Sequence, residues 1–201
     1  MPTIRQNHPM STDYTSLPDN LPAPVDDGAA DHLPGSEVPA VALPSTLGGE
    51  LDLAQAARER LVVYVYPRTG VPGQPLLDGW DDIPGARGCT PQSCAFRDAR
   101  DDFARHSATL IGISAQTPQE QAEFAEREHI PYPLLSDHEH VLADAMGLPT
   151  FETSGLRLYK RLTFVAEQGR IVKVFYPVFP PDRSAGDVLA WLEGLRRDQP
   201  R

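Results

Sequence analysis

From about Glu37 onward, the apolar positions of this chain fall into strand and helix rhythms in turn. "LVVYVYP" (Leu61 to Pro67) is an unbroken run of β-branched, aliphatic and aromatic residues, the pattern of a strand covered on both faces. "TLIGIS" (Thr109 to Ser114) repeats it, and "PLLS" (Pro133 to Ser136) is a shorter copy. Helical spacing fills the gaps between them. Phe96, Ala99 and Phe103 mark one stripe of a helix expected to run to about His106, with Thr90 as N-cap and Pro91 in the first position. Thr117, Pro118 and Glu120 form a capping box that opens a second helix, running to about Glu128. Asp137 suits the cap of "HEHVLADAM", and Gly147 its C-terminal end. "RLTFVAEQGRIVKVFYP" alternates as a hairpin turning at Glu167, Gln168 and Gly169. "SAGDVLAWLEGLRR" puts Val188, Leu189, Leu192 and Leu195 on one face of a final helix. Two weaker signals precede these. "VPAVALPS" reads as a short edge strand, because its prolines would spoil a central one, and "LDLAQAARE" as a short helix or turn.

Strands that alternate with helices lie parallel, joined by crossovers, and the late hairpin adds an antiparallel edge. The expected fold class is therefore α/β, a three-layer α/β/α sandwich with a mixed central sheet. Residues 1–34 are rich in Pro, Asp, Ser and Asn without an apolar period, which predicts a flexible Pro-rich extension ahead of a domain spanning 35–198. The stretch "RTGVPGQPLLDGWDDIPGARG" is a long Gly- and Pro-rich loop, and loops of that length are usually functional.

Composition narrows the function. The net charge of −10 argues against nucleic acid as a partner and against docking on an anionic membrane. No apolar run reaches the roughly 20 residues that span a bilayer, and "MPTIRQNHPMSTDYTSLPDN" lacks a signal-type apolar core, so a cytoplasmic location is expected. The chain holds 2 cysteines, too few for a disulfide-stapled secreted scaffold. Structural zinc wants four ligands, and the histidines are scattered, so no metal or other cofactor is expected.

Both cysteines, Cys89 and Cys94, sit in "GARGCTPQSCAFRD", at the start of the first long helix. Taken alone, this pair is open to three readings: buried apolar filler, a structural staple, or a working redox pair. "GCTPQSCAFRD" resembles the peroxidatic segment of peroxiredoxins, close to the Q type, also called bacterioferritin-comigratory proteins. "VVYVYP" is similar to the strand and proline before the active loop of that family, and "KRLTFVAEQGRI" to its Arg-bearing strand. The resemblance covers about residues 35–197 and implies a thioredoxin-like fold, consistent with the order of elements. It further implies that Cys89 is the peroxide-reducing thiol, that Cys94 resolves it through an intramolecular disulfide, and that Arg161 stabilises the sulfur. Thioredoxin, or glutaredoxin, is the implied reductant, hydrogen peroxide or an organic hydroperoxide the substrate, and a monomer or weak dimer the implied state.

Physical chemistry supports these roles. The attacking species is a thiolate, and the unpaired N–H groups of a helix N-terminus favour negative charge. That end alone contributes roughly 0.3–1 kcal/mol, so a cation is also required. Arg97 lies two turns into the helix and reads as a structural ion-pair residue, while Arg87 reads as solvent-facing. The family pattern places a Thr three residues before the reactive Cys, but Ala86 stands there. Thr69 in "YPRTG" is the upstream candidate, if the long loop is an insertion that returns it to the site. Pro67 is expected to shape the strand exit and shield the thiol, and Trp80 to anchor the loop. Two rival functions share this fold: a general thiol–disulfide oxidoreductase, whose pair is usually C-x-x-C, and a peroxide-sensing switch.

Overall fold

The computed structural model describes residues 16–198. Regular structure begins with a small hairpin, β1 (Ala42–Pro44) and β2 (Glu50–Asp52), and a one-turn helix, α1 (Leu53–Ala56). Then follow β3 (Arg60–Val65), α2 (Cys89–Asp98), α3 (Arg100–Arg105), β4 (Ala108–Ser114), α4 (Pro118–Arg127) and β5 (Leu134–Ser136). The second half holds α5 (Val141–Met146), the hairpin β6 (Thr150–Thr153) and β7 (Leu156–Tyr159), the hairpin β8 (Leu162–Glu167) and β9 (Arg170–Phe175), and α6 (Ser184–Asp198).

The central sheet has the order β5-β4-β3-β8-β9. β3, β4 and β5 run parallel, and β8 and β9 join antiparallel. The continuous apolar run of β3 is explained by its two faces. Leu61, Val63 and Val65 enter one core with α1 and α5, while Val62, Tyr64 and Tyr66 enter the other with α2, α3, α4 and α6. These are the three layers of a thioredoxin-like α/β/α sandwich. Gly112 in β4 makes room for this packing: a Cβ there would stand 2.6 Å from the Tyr64 ring. Tyr64 in turn stacks on Phe96, with ring centroids 4.4 Å apart, which fixes α2 against the sheet.

Several expectations shift by local physics. The helix expected to run unbroken to His106 divides at Ala99, which ends α2 and begins α3. Seven helical residues rise about 10.5 Å, and the break brings Phe96 and Phe103 to 5.6 Å between ring centroids. Thr90 is not the cap of α2. Gly88 holds that position at φ 100, and Cys89 is the first helical residue. A side chain at Gly88 would collide with Pro181, 2.4 Å from the Cβ position, so the chain turns there only as glycine. Thr117 and Glu120 form the expected capping box, and Gly147 closes α5 in the left-handed region. Asp137 caps α5 from a distance, its two carboxylate oxygens accepting from the Leu142 and Ala143 N–H groups at 3.1 Å each. The β1 strand does not edge the main sheet but pairs with β2, and the residues just after it reach β5 through the Ser45–Leu135 bridge and the Thr46–Leu134 hydrogen bonds.

Residues 1–15 of the expected extension lie outside the described residues. Closer to residue 34 the chain is packed. Ala30 and Leu33 are buried in the core, and Asp27 accepts from Lys160 Nζ and from Tyr176 OH at 2.7 Å. Packed chain thus begins ahead of the boundary expected at residue 35. No helix among the described residues is long and apolar enough to cross a membrane.

Candidate active site

β3 ends in the sheet interior, and Tyr66 and Pro67 leave it still buried. The long loop that follows is tied down by Trp80, which packs with Ala86 and Leu158 in a satellite apolar cluster edged by Leu76, Leu77, Ile83 and Phe151. Trp80 is therefore an anchor, as expected, and it also lines a small cavity with Thr69, Arg87, Cys89 and Thr90. That cavity holds about 10 Å³, room for roughly one water-sized molecule. The loop thus returns Thr69 to the neighbourhood of Cys89 across 20 residues of sequence separation. The Thr69 hydroxyl donates to Gln116 Oε1 at 3.0 Å, and its N–H to the same oxygen at 2.8 Å.

Arg161 stands immediately before β8 and is 3 % exposed. Its guanidinium reaches across to the start of α2. Nε donates to the Gly85 carbonyl at 3.3 Å, and Nη1 donates to Gln92 Oε1. Nη2 donates to the Ala86 and Arg87 carbonyls at 3.1 Å each and to Cys89 Sγ at 3.2 Å. Cys89 is likewise 3 % exposed, and its Sγ lies 3.6 Å from the Ala86 carbonyl oxygen. A buried guanidinium needs a counter-charge, since desolvating an unpaired ion costs several kcal/mol. Carbonyl and amide oxygens supply dipoles but no charge. Among the described contacts of Arg161, the Cys89 sulfur is the one partner able to ionise. No side chain caps α2, so the open N–H groups of its first turn add to the same positive potential.

Arg87 corrects an expectation. It is buried, with Nη1 3.2 Å from Asp81 Oδ1, and it lines the Cys89 cavity instead of facing solvent. Arg97 is the expected structural residue: Nε pairs with Asp98 at 2.8 Å, and Nη1 donates to the Glu128 carbonyl at 2.6 Å.

Cys94 occupies the middle of α2, half-buried, and both cysteines are free thiols. Its Sγ donates to Glu128 Oε2 at 3.7 Å. Burial pushes the Cys94 thiol above its ordinary value; the Glu128 carboxylate adds to the rise, and Arg97 opposes it. Tyr132 OH donates to the Ser93 carbonyl at 3.1 Å, a further tie on α2. Gln92 Nε2 and Ser93 Oγ are buried with no hydrogen-bond partner among the described residues, which weakens the same helical turn. Gln92, Gln116, Glu128 and Tyr132 carry no sequence signal of their own. Each meets the site through tertiary contact, and only Gln92 lies within the cysteine motif.

A buried thiol facing a guanidinium at a helix N-terminus, on a thioredoxin-like sheet, defines a thiol-based oxidoreductase. The Redoxin family model matches residues 33–189, and the chain belongs to that family. It is 31% identical over 186 residues to the chloroplastic peroxiredoxin Q of Gentiana triflora, covering 89% of this chain and 77% of that protein. It is 28% identical over 155 residues to peroxiredoxin Bcp of Bacillus subtilis strain 168, covering 75% and 89%. The crystal structure of peroxidoxin BcpB from Mycobacterium tuberculosis superposes with a TM-score of 0.67 at 30% identity, covering 82% of this chain and 99% of that one. The chain is accordingly a peroxidase of the peroxiredoxin class, with relatives of the Q and Bcp type.

Proposed function

We propose that this peroxidase reduces hydrogen peroxide and organic hydroperoxides through a Cys89 sulfenic acid and an intramolecular Cys89–Cys94 disulfide. The observation that carries the reading is the 3.2 Å contact between Arg161 Nη2 and Cys89 Sγ, where sulfur is the ionisable partner of a buried cation. The thiolate attacks one peroxide oxygen, and the O–O bond breaks. The departing oxygen leaves as water or alcohol once it gains a proton, and Cys89 becomes S–OH. The guanidinium and the open N–H groups of α2 stabilise the negative charge as it passes from sulfur to the leaving oxygen. Thr69 lines the cavity beside the thiol, whereas Pro67, buried at the exit of β3, is not among the residues that line it.

Cys94 then attacks the Cys89 sulfur and water departs. Both cysteines lie within α2. Five helical residues rise about 7.5 Å, which sets the Cα atoms roughly 8–9 Å apart, beyond the ~7 Å a disulfide spans. The first turns of α2 therefore unwind before the bond closes. A dithiol protein, thioredoxin or glutaredoxin, restores both thiols by exchange. The enzyme works in the cytoplasm as a monomer or weak dimer.

The test is NADPH consumption in the presence of thioredoxin and its reductase, with hydrogen peroxide and with an organic hydroperoxide. Cys89→Ser should abolish the first sulfur oxidation. Cys94→Ser should allow one oxidation per chain and then stop recycling by thioredoxin. Full turnover by Cys94→Ser would remove the disulfide from the cycle.

A further inference from the structure

The resolving thiol is not loose. Cys94 Sγ–H points at Glu128 Oε2, 3.7 Å away, where α4 ends. Glu128 is itself held: its other oxygen, Oε1, pairs with Arg127 Nη1, its side chain is 14 % exposed, and its backbone carbonyl accepts from Arg97 of α2. Arg127 is fixed in turn by Glu123, at 2.8 Å, and by the Gly70 carbonyl at 3.0 Å, at the start of the long active-site loop. The residue that caps the C-terminal end of α4 therefore grips α2 twice, once through its main chain and once through its side chain, at the position of the resolving sulfur.

We propose that Glu128 is a latch on the resolving cysteine: by accepting the Cys94 S–H bond it keeps that thiol docked and unreactive until α2 opens. The inference rests on Cys94 being the resolving residue. The chemistry follows from what a carboxylate does to a thiol. A carboxylate accepting from S–H stabilises the neutral thiol and repels the thiolate, and thiolate is the form that attacks. The groups that face Cys94 are Arg97 and Asp98 on its own helix, Glu128 with its Arg127 from α4, Tyr64 of β3 and Tyr132 ahead of β5. Arg97 alone among them favours the thiolate directly, and part of its charge is taken by Asp98 at 2.8 Å. When the latch releases, Cys89–S–OH and Cys94–S–H combine. An S–S bond forms, the S–O and S–H bonds break, and the proton leaves with the hydroxyl as water. The Cys94 sulfur is oxidised and the Cys89 sulfenic sulfur reduced, so no outside oxidant is needed.

A latch has a sign that distinguishes it from a general base. If Glu128 drew the proton from Cys94 during attack, removing its charge would slow disulfide formation. If it restrains Cys94, removing it speeds the step. Glu128→Gln should speed disulfide formation by about threefold to tenfold near pH 7, the scale on which a hydrogen bond to a carboxylate exceeds one to a neutral amide oxygen. The assay is rapid quench and non-reducing mass analysis after one equivalent of hydrogen peroxide. The second measurement is independent of peroxide: the pH dependence of Cys94 alkylation in a Cys89→Ser background. There Glu128→Gln should move the midpoint to lower pH. A merely structural role would change melting temperature without moving that midpoint. Glu128→Asp, which keeps the charge but withdraws the oxygen, should also speed the disulfide step, with a smaller alkylation shift, and it serves if the Gln variant does not fold. Slower disulfide formation, or an unmoved midpoint, overturns the latch. Absence of any Cys89–Cys94 disulfide in the unmodified chain overturns the two-cysteine reading instead, and with it the latch.

Discussion

Replacing Arg161 by Lys keeps the positive charge and removes the fork, which isolates what the guanidinium geometry contributes. Arg161 donates to five groups: the carbonyls of Gly85, Ala86 and Arg87, Gln92 Oε1 and Cys89 Sγ. An ammonium has three N–H donors at one point. At least two of the five acceptors therefore lose their protein partner, around an arginine that is only 3 % exposed. At about 1–3 kcal/mol for each buried group left unsatisfied, the variant loses roughly 2–6 kcal/mol of stability. For a chain of this size that lowers the melting temperature by roughly 4–24 °C. The catalytic effect is larger in consequence, because a donor aimed at charge developing in a buried site is worth about 10²–10³ in rate. Stopped-flow fluorescence can follow the peroxide step, since Trp80 lines the same cavity as Cys89. The second-order rate with hydrogen peroxide should fall about 100-fold or more in Arg161→Lys, measured well below its melting temperature. A rate within about threefold of the unmodified enzyme would refute the argument, since any cation would then serve as well as the fork.

Oxidation should open α2. Amide exchange in residues 90–94 is expected to rise when the Cys89–Cys94 disulfide forms, while β3 and β4 keep their protection; unchanged exchange in that segment would mean that the bond closes without unwinding. The docking of the N-terminal segment should depend on pH. Hydrogen bonds from Lys160, Tyr176 and the Ala29 N–H hold the Asp27 carboxyl well below the usual carboxylate range. Its folded value is depressed, so this contribution is present above about pH 4 and fades as pH falls below it. Exchange of residues 23–33 should therefore increase on acidification ahead of the sheet, and Asp27→Asn should show the acid-side exchange already at neutral pH. Equal exchange in the two proteins at pH 7 would show that Asp27 does not anchor the segment.

How much of this could be read from the sequence follows from the range of each interaction. The central strands were legible because burial on both faces demands runs like "LVVYVYP", whatever the neighbours are. The capping box at Thr117 and the turn at Gln168 and Gly169 were legible because those contacts span three residues or fewer. Within the site, the cysteine spacing and Arg161 carried recognisable motifs. Thr90 misled because a Thr before a Pro is a good N-cap in isolation. Here Pro181 crowds Gly88, and the left-handed glycine takes the turn. Arg87 misled for a similar reason: among glycines and small residues it looks solvated, but its partner Asp81 and the Trp80 knot are made by the folded loop. The β6–β7 hairpin around Ser154 and Gly155 went unread because its strands have four residues each and weak alternation. Gln116 and Glu128 were invisible because each lies more than 30 residues from the residue it touches.

The site sets two demands on one helix. Under the proposed cycle, Cys89 needs an intact N-terminus beside Arg161 while it attacks, and Cys94 needs that same helix open a moment later. The structure distributes these demands over different contacts. Arg161 binds Gln92 and three carbonyls ahead of Cys89 as well as the Cys89 sulfur, so one side chain ties the first turn to the reacting atom. In the proposed cycle the attacking thiolate becomes a neutral sulfenic acid, so the charge that faces the buried guanidinium during attack is gone when Cys94 must follow. The unpartnered Gln92 Nε2 and Ser93 Oγ gain hydration if the turn opens. Beyond that turn, α2 is still gripped at Glu128 by Arg97 and Cys94 and at Ser93 by Tyr132. On this reading the chemical state of Cys89 sets whether the first turn is stable, and the contacts at Glu128 set how fast Cys94 follows. Arg161 and Glu128 then act on different steps, so their effects on single-turnover kinetics should separate: Arg161→Lys slows sulfur oxidation, and Glu128→Gln leaves that step unchanged while accelerating the next.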